Sequence, residues 1–140
     1  MKKITPFLWF DNNAEEAINF YLSVFKNGKK INNNKFEIEE QEFMVLNGGP
    51  HFKFNEAISI FVDCENQEEV DNLWEKLSEG GEKGQCGWLK DKFGLSWQII
   101  PNILGEMLSD LDEEKADRVM QAMIKMTKID VEELKKAYNN

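Results

Sequence analysis

The chain has 140 residues, of which 41% are apolar, so it is large enough to fold as one domain around a hydrophobic core. Its formal charge of −9 argues against a nucleic-acid partner, and no apolar run reaches the roughly 20 residues that cross a membrane. The two cysteines, Cys64 and Cys86, have no metal-ligand or disulfide-framework spacing. We therefore expect a cytoplasmic protein that does not bind membranes.

A repeat organises most of the chain. The segment Phe10–Tyr21 recurs 53 positions later as Asp63–Trp74, with paired glutamates and bulky apolar residues in the same places. Each copy follows an apolar run, Ile4–Phe10 or Ala57–Val62, that is typical of a buried strand. Two copies of one strand-then-helix module are therefore predicted.

Module one continues with a helix and a hairpin. Apolar residues at helical spacing predict a helix over Ala14–Phe25, with its N-cap in Asp11–Asn13. Alternation over Lys35–Glu39 and the apolar run Glu42–Asn47 predict two strands joined by a short turn. Asn27-Gly28 is expected to end the helix as a C-cap and turn, and no strand is assigned to Lys26–Asn34.

Module two repeats this plan. A helix is predicted over Gln67–Ser78, capped by Asn66 and stopped by two glycines. Two further strands are predicted at Gln85–Lys90 and Leu95–Ile100, and Pro101 is expected to close the sheet edge.

A third region, residues 110–140, belongs to neither module. Asp110 and Asp130 begin capping-box patterns that predict two helices. The first of these helices carries one apolar stripe, formed by Ala116, Val119, Met120, Met123 and Ile124. A stripe that contains methionine is usually core or a subunit contact, and less often a ligand surface.

Long segments of the chain resemble PhnB-like proteins. The segments that carry the resemblance are Ile4–Phe10 with Ala14–Tyr21, Phe43–Glu56, Gly84–Gln98, Leu108–Asp110, Arg118–Met123 and Lys128–Asp130. The relatives have a longer connection in place of Lys26–Asn34, so this chain has either a deletion or a missing loop there. Many members carry the label 3-demethylubiquinone-9 3-methyltransferase, and the group is part of the vicinal-oxygen-chelate superfamily of glyoxalases, bleomycin-resistance proteins and dioxygenases.

The resemblance implies an α+β fold in which two βαβββ modules form a curved mixed sheet around a pocket. The paired modules are expected over residues 1–109, with module one at about 1–55 and module two at about 56–109. The helical tail, 110–140, is expected to pack on the same domain or on a dimer partner.

Enzymes of this superfamily bind a divalent metal through four His or Glu side chains on the first and last strands of the modules. The resemblance places Thr5, Ile58 and Gln98 at three of these positions, and the last strand of module one, Phe43–Asn47, offers no acid and no histidine. Such side chains do not supply the donors that a metal centre needs. We therefore expect no metal and no other cofactor.

His51 is the single histidine and the one weak candidate for catalysis. An imidazole suits proton transfer near neutral pH, and Glu56 is close enough in sequence to form an acid–base pair with it. A histidine in a turn after Gly-Gly-Pro is more often simply exposed. Both interpretations stay open.

Aromatic residues predict an apolar pocket for a flat ligand. The predicted lining is Phe7, Trp9, His51, Phe54, Trp88, Trp97 and Gln98, and neutral hydrogen bonds could come from Asn47, Gln85 and Ser96. Strands alternate their faces, so some of these aromatic residues must belong to the core.

Three functions follow from this pattern. The first is metal-free binding of an aromatic or cationic small molecule by a homodimer. The second is an enzyme, either the labelled methyltransferase or a metal-dependent isomerase or lyase, although Gly48-Gly49 is a weak candidate for a nucleotide loop because Pro50 follows it. The third is a structural or interaction module that uses the methionine-rich tail.

Overall fold

The computed structural model describes residues 2–140, which form two compact units divided between Phe54 and Asn55. The first unit contains β1 (Phe7–Phe10), α1 (Ala14–Val24), β2 (Gly28–Asn32), β3 (Lys35–Ile38) and β4 (Gln41–Asn47). Its sheet has the order β1-β4-β3-β2, in which β1 and β4 are parallel and the other neighbours are antiparallel.

Helix α1 packs its apolar stripe on this sheet. Ala17, Ile18 and Tyr21 are fully buried, and the Tyr21 ring stacks on Phe36 with 5.7 Å between ring centroids. The predicted local N-cap is wrong in one respect, because Asn13 occupies the cap position but its side chain makes no capping bond. Instead, the Ala14 N–H donates to Asn47 Oδ1 at 2.9 Å, so the end of β4 caps the helix.

The segment between α1 and β3, to which no strand was assigned from the sequence, contains the strand β2. Strand β2 pairs with β3 from Gly28 opposite Ile38 to Asn32 opposite Lys35, with an irregularity after Lys30. All its side chains are exposed, which is typical of an edge strand that carries lysines. The short segment 26–34 therefore suffices to complete a four-stranded sheet.

The second unit begins with the same topology. It contains β5 (Ser59–Cys64), α2 (Gln67–Ser78), β6 (Glu82–Lys83), β7 (Trp88–Lys90) and β8 (Ser96–Pro101), in the sheet order β5-β8-β7-β6. The prediction for α2 is confirmed at both ends, and the Asn66 side chain accepts from the Glu69 N–H at 2.9 Å. Pro101 does not close a sheet edge, because β8 is an interior strand and Pro101 leads into the next helix.

The repeat has two spacings. The two helices begin 53 residues apart, but the strands are related by 54 residues, since Phe7 pairs with Met44 as Phe61 pairs with Gln98. The connection that precedes α2 is one residue shorter than the one that precedes α1. A one-residue shift turns a strand side chain to the opposite face. The counterpart of Thr5 is therefore Ser59, and the assignment of Ile58 to this position is corrected.

Three helices complete the second unit: α3 (Asn102–Leu108) precedes the tail, and α4 (Glu113–Met123) and α5 (Val131–Asn139) form the tail. Of these, α3 was not predicted. Their core contains Ile100, Leu104, Met107, Val119, Ile129 and Leu134. The Gln67 side chain ties the tail to α2, because it donates to the Ile129 carbonyl at 3.0 Å and accepts from the Val131 N–H at 2.7 Å. None of the helices formed by residues 2–140 has the length and apolarity needed to span a membrane.

Candidate functional site

Each sheet packs one face against its own helix, α1 or α2. We call the opposite face the open face. In the first unit the helix-side residues Phe36, Phe43 and Val45 are no more than 3% exposed. Because side chains alternate along a strand, the open face carries Phe7, Trp9, Met44, Leu46, Lys35, Glu37 and Glu42.

An aromatic cluster stands at the β1 edge of this open face. The Trp9 indole N–H donates to the Gly49 carbonyl at 2.9 Å, and the Phe52 ring meets Trp9 edge-on with 4.9 Å between centroids. Phe7 and Phe52 are 53% and 67% exposed. This cluster offers aromatic surface to a ligand.

Two other residues that were predicted to line the pocket lie close to this cluster in sequence. Phe54 is half-buried and packs edge-on against Phe10 at 5.4 Å. His51 is exposed in the turn between Pro50 and Phe52. Glu56, the predicted acid–base partner of His51, forms a salt bridge with Lys90.

The Gly48-Gly49 turn uses its backbone N–H groups within the protein. The Gly48 N–H donates to the Phe10 carbonyl at 2.8 Å, and the Gly49 N–H donates to the Asp11 carbonyl at 3.0 Å. The Trp9 ring lies so close to Gly48 that a Cβ there would approach ring carbon Cζ2 to 2.3 Å. The turn therefore holds Trp9 and does not present free N–H groups to a phosphate.

The open face of the second unit combines aromatic and neutral polar side chains. Phe61 on β5 is 56% exposed, and its neighbour across the ladder, Gln98, is flanked on the other side by the half-buried Trp88. The Gln98 amide donates to Ser59 Oγ at 3.0 Å. This face therefore offers hydrogen-bonding groups between two aromatic rings.

One charged pair lies at the edge of that face. Lys90 forms a salt bridge with Glu56, and this contact lowers the pKa of the Glu56 carboxyl and raises that of Lys90. Both groups are solvated, so the pair contributes little to stability. Its consequence is local charge neutrality beside Ser96, the ladder partner of Lys90.

Trp97 lies in the core of the second unit, although it was predicted to line the pocket. It is 1% exposed, and its indole N–H donates to Asp91 Oδ2 at 2.9 Å. The buried Asp91 carboxylate also accepts from the Phe93 and Leu95 N–H groups, at 2.8 and 3.1 Å. We therefore leave Trp97 out of the proposed ligand surface, and Asp91 is an organising residue that sequence reasoning missed.

The positions that correspond to metal ligands in the superfamily do not fit a metal. Thr5 and its counterpart Ser59 offer only hydroxyl oxygens, and the Gln98 amide is engaged with Ser59. Within residues 2–140, no three His, Cys, Asp or Glu side chains are grouped so that they could hold a metal ion. No reaction step is therefore derived through a metal.

The 54-residue repeat reveals two pairs of equivalent residues on the open faces. Phe7 and Phe61 are equivalent, and both are more than half exposed. Glu42 and Ser96 are also equivalent, and each has a buried oxygen, Oε2 or Oγ, without a hydrogen-bond partner in residues 2–140. Ser59 and Glu42 were not predicted as site residues. The sequence prediction aligned the strands by the 53-residue spacing of the helices, which is one residue short of the true strand spacing.

Two modules of βαβββ topology followed by helices define an α+β protein with paired modules, and they confirm the predicted fold class. The family model described as 3-demethylubiquinone-9 3-methyltransferase matches residues 2–35 and 27–100. The chain belongs to this family.

Several solved structures are similar to this chain. A PhnB protein from Bacillus cereus is 34% identical, with a TM-score of 0.64 over 71% of this chain and 99% of that chain. A protein from Pseudomonas aeruginosa is 18% identical, with a TM-score of 0.60 over 72% and 98% of the two chains. A glyoxalase/bleomycin resistance protein from Albidiferax ferrireducens T118 is 17% identical, with a TM-score of 0.45 over 66% and 94%. A comparison with curated proteins found no match.

Proposed function

We propose that the protein binds a flat, aromatic or cationic small molecule, without a metal, through the aromatic residues of its open sheet faces. The observation that carries this proposal is the equivalence of Phe7 and Phe61, which are 53% and 56% exposed at the same ladder position of the two sheets. Exposed aromatic side chains at equivalent positions of both modules favour a role in ligand binding.

The gain from covering these rings is large enough to support binding. Covering the exposed half of one phenylalanine contributes on the order of 1 kcal/mol. Trp9 and Phe52 extend the aromatic surface beside Phe7, and Trp88 extends it beside Phe61. A net charge of −9 favours a cationic ligand over an anionic one, and an aromatic face attracts a cation directly.

We also propose that the protein is a cytoplasmic homodimer. Both cysteines are free, which suits a reducing compartment. Leu111, Met120 and Ile124 are 99%, 39% and 48% exposed on the tail, and they offer apolar surface for a second subunit. The same surface favours the alternative that the protein is an interaction module.

The family description favours methyl transfer as another candidate function. The Gly48-Gly49 turn gives this candidate no support, because both N–H groups are bonded within the first unit. A calorimetric titration with S-adenosylmethionine tests this candidate directly. Saturable binding would favour a methyltransferase, and the absence of a heat of binding would count against one.

The test of the proposed function is a titration of 2-ethylnaphthalene and the cation N-methylquinolinium into Phe7→Ala and Phe61→Ala variants, followed by NMR chemical shifts. Each substitution removes exposed aromatic surface and should weaken binding of at least one probe by at least fivefold. Ile4→Ala is the matched control, because Ile4 is 84% exposed and lies outside the strands. The proposal fails if neither phenylalanine variant differs from this control.

A further inference from the structure

We propose that the open face of the second unit carries a subsite that binds a neutral carbonyl or hydroxyl group of the ligand through Ser96, Ser59 and Gln98. This inference rests on the proposed function, which requires only aromatic contacts. It adds the class of ligand: a flat apolar ring system with a neutral polar substituent.

The observation that carries the subsite is the side chain of Ser96. The residue is 1% exposed, and its Oγ is buried without a hydrogen-bond partner in residues 2–140. Buried hydroxyl groups are nearly always paired, because leaving one unpaired costs its desolvation without a compensating bond. An unpaired hydroxyl on a face already proposed to bind a ligand has a simple explanation if the ligand supplies the partner.

The neighbouring side chains extend this hydroxyl into a group of three. Ser59 lies beside Ser96 across the β5–β8 ladder, and Gln98 follows on the same face of β8. The Gln98 amide donates to Ser59 Oγ at 3.0 Å, so this serine still has its own proton to donate. Together, the two serines can donate to a ligand carbonyl or accept from a ligand hydroxyl.

The charges beside the subsite favour a neutral group. Lys90 is the ladder partner of Ser96, and its ammonium is already bonded to Glu56. An anionic substituent would therefore find no free cation there among these neighbours, whereas a neutral carbonyl needs none.

Aromatic rings flank the subsite on both sides. Phe61 and Trp88 are the two ladder partners of Gln98, on β5 and on β7. A planar ring can lie against these side chains while its polar substituent reaches the serine hydroxyls. The first unit has Lys35 and Met44 at the positions of Trp88 and Gln98, so its open face is not expected to hold such a group in the same way.

The experiment compares 2-acetylnaphthalene with 2-ethylnaphthalene, which have the same ring system and differ in the carbonyl group. Dissociation constants are measured by NMR for the wild type, Ser96→Ala and Gln98→Leu. The wild type should bind the acetyl probe roughly tenfold more tightly than the ethyl probe, and in both variants the two dissociation constants should differ by less than about twofold. Ser23→Ala is the control, because Ser23 is exposed and bonded only to its own helix at the Phe20 carbonyl.

A second readout separates the subsite from a structural role of Ser96. Removing an unpaired buried hydroxyl should raise the melting temperature of the free protein, by roughly 3 °C, while it weakens binding of the acetyl probe. A fall in melting temperature would mean that the hydroxyl has a partner within the protein, and it would overturn the proposal.

The outcomes distinguish the two proposals. If the wild type binds both probes equally, the subsite is wrong and aromatic binding stands. If the wild type binds neither naphthalene probe, the subsite is wrong, and aromatic binding then depends on the cationic probe.

Discussion

The two units share one topology and differ in the chemistry of their open faces. Each presents an exposed phenylalanine at the same position, Phe7 or Phe61. At the next equivalent position the first unit has Glu42, whose carboxylate lies 3.9 Å from Lys35, and the second has the neutral Ser96. The fold therefore requires neither side chain, since two sheets of the same order accommodate an acid in one and a serine in the other.

The units also differ in how they close the hairpin before the last strand. In the first unit Glu39 and Glu40 form a two-residue turn with φ values of 47° and 68°. In the second unit a longer loop from Asp91 to Leu95 is organised by hydrogen bonds to the buried Asp91. One turn is strained and the other is held by a side chain.

The largest expected effect tests the second hairpin. Asp91→Ala should lower the free energy of unfolding by about 3 kcal/mol, because three N–H groups lose their acceptor in the core. Urea unfolding followed by circular dichroism measures the change. The exposed Asp63→Ala provides the control, and a loss below about 1 kcal/mol for Asp91→Ala would show that Asp91 does not organise this loop.

A smaller effect of opposite sign is expected in the first hairpin. Glu40→Gly should raise the free energy of unfolding by about 0.5 kcal/mol, because glycine adopts a positive φ without the steric cost of a Cβ. The same urea measurement applies. Glu15→Gly, on an exposed position of α1, should be destabilising instead, and a loss of stability in both variants would contradict the account of a strained turn.

The smallest expected effect is a loss of stability at acid pH, and it arises from residues of the second unit. Lysine or tyrosine hydrogen bonds lower the pKa of three carboxyl groups, Glu56, Asp71 and Asp110, and all three lie in the second unit. A lowered folded-state pKa gives stability that is present above the unfolded pKa and is lost as pH falls through the folded pKa. The melting temperature should therefore fall on acidification below the ordinary carboxyl range.

The Asp71–Lys128 ion pair, at 2.8 Å, allows this effect to be isolated. Asp71→Asn should reduce the acid dependence of the melting temperature, whereas the exposed Asp117→Asn should not. Equal acid dependence in the wild type and Asp71→Asn would contradict the assignment.

Local signals in the sequence were sufficient for some elements. Helix α2 was predicted from Gln67 to Ser78 because Asn66 caps it and glycines stop it, and both signals act within a few residues. Strand β2 was missed because its side chains are all exposed, and only pairing with β3 makes it a strand. The cap of α1 was missed because Asn47 is distant in sequence.

The candidate site was predictable by residue type but not by orientation. The aromatic residues and Gln98 were proposed as a ligand surface from their residue types alone, and one of them, Trp97, lies in the core. Ser59 could be found only once the strands were related by 54 residues, because the connections before the two helices differ in length by one residue. Such a shift decides which face a side chain occupies, and composition does not report it.

Native mass spectrometry of the protein purified without added ligand tests the central claim most directly. The proposed function predicts that the wild type carries an additional small-molecule mass, and that the Phe7→Ala/Phe61→Ala double variant loses it while the Ile4→Ala control retains it. An identical mass increment in the wild type and the double variant would contradict the claim that these two phenylalanines bind the ligand.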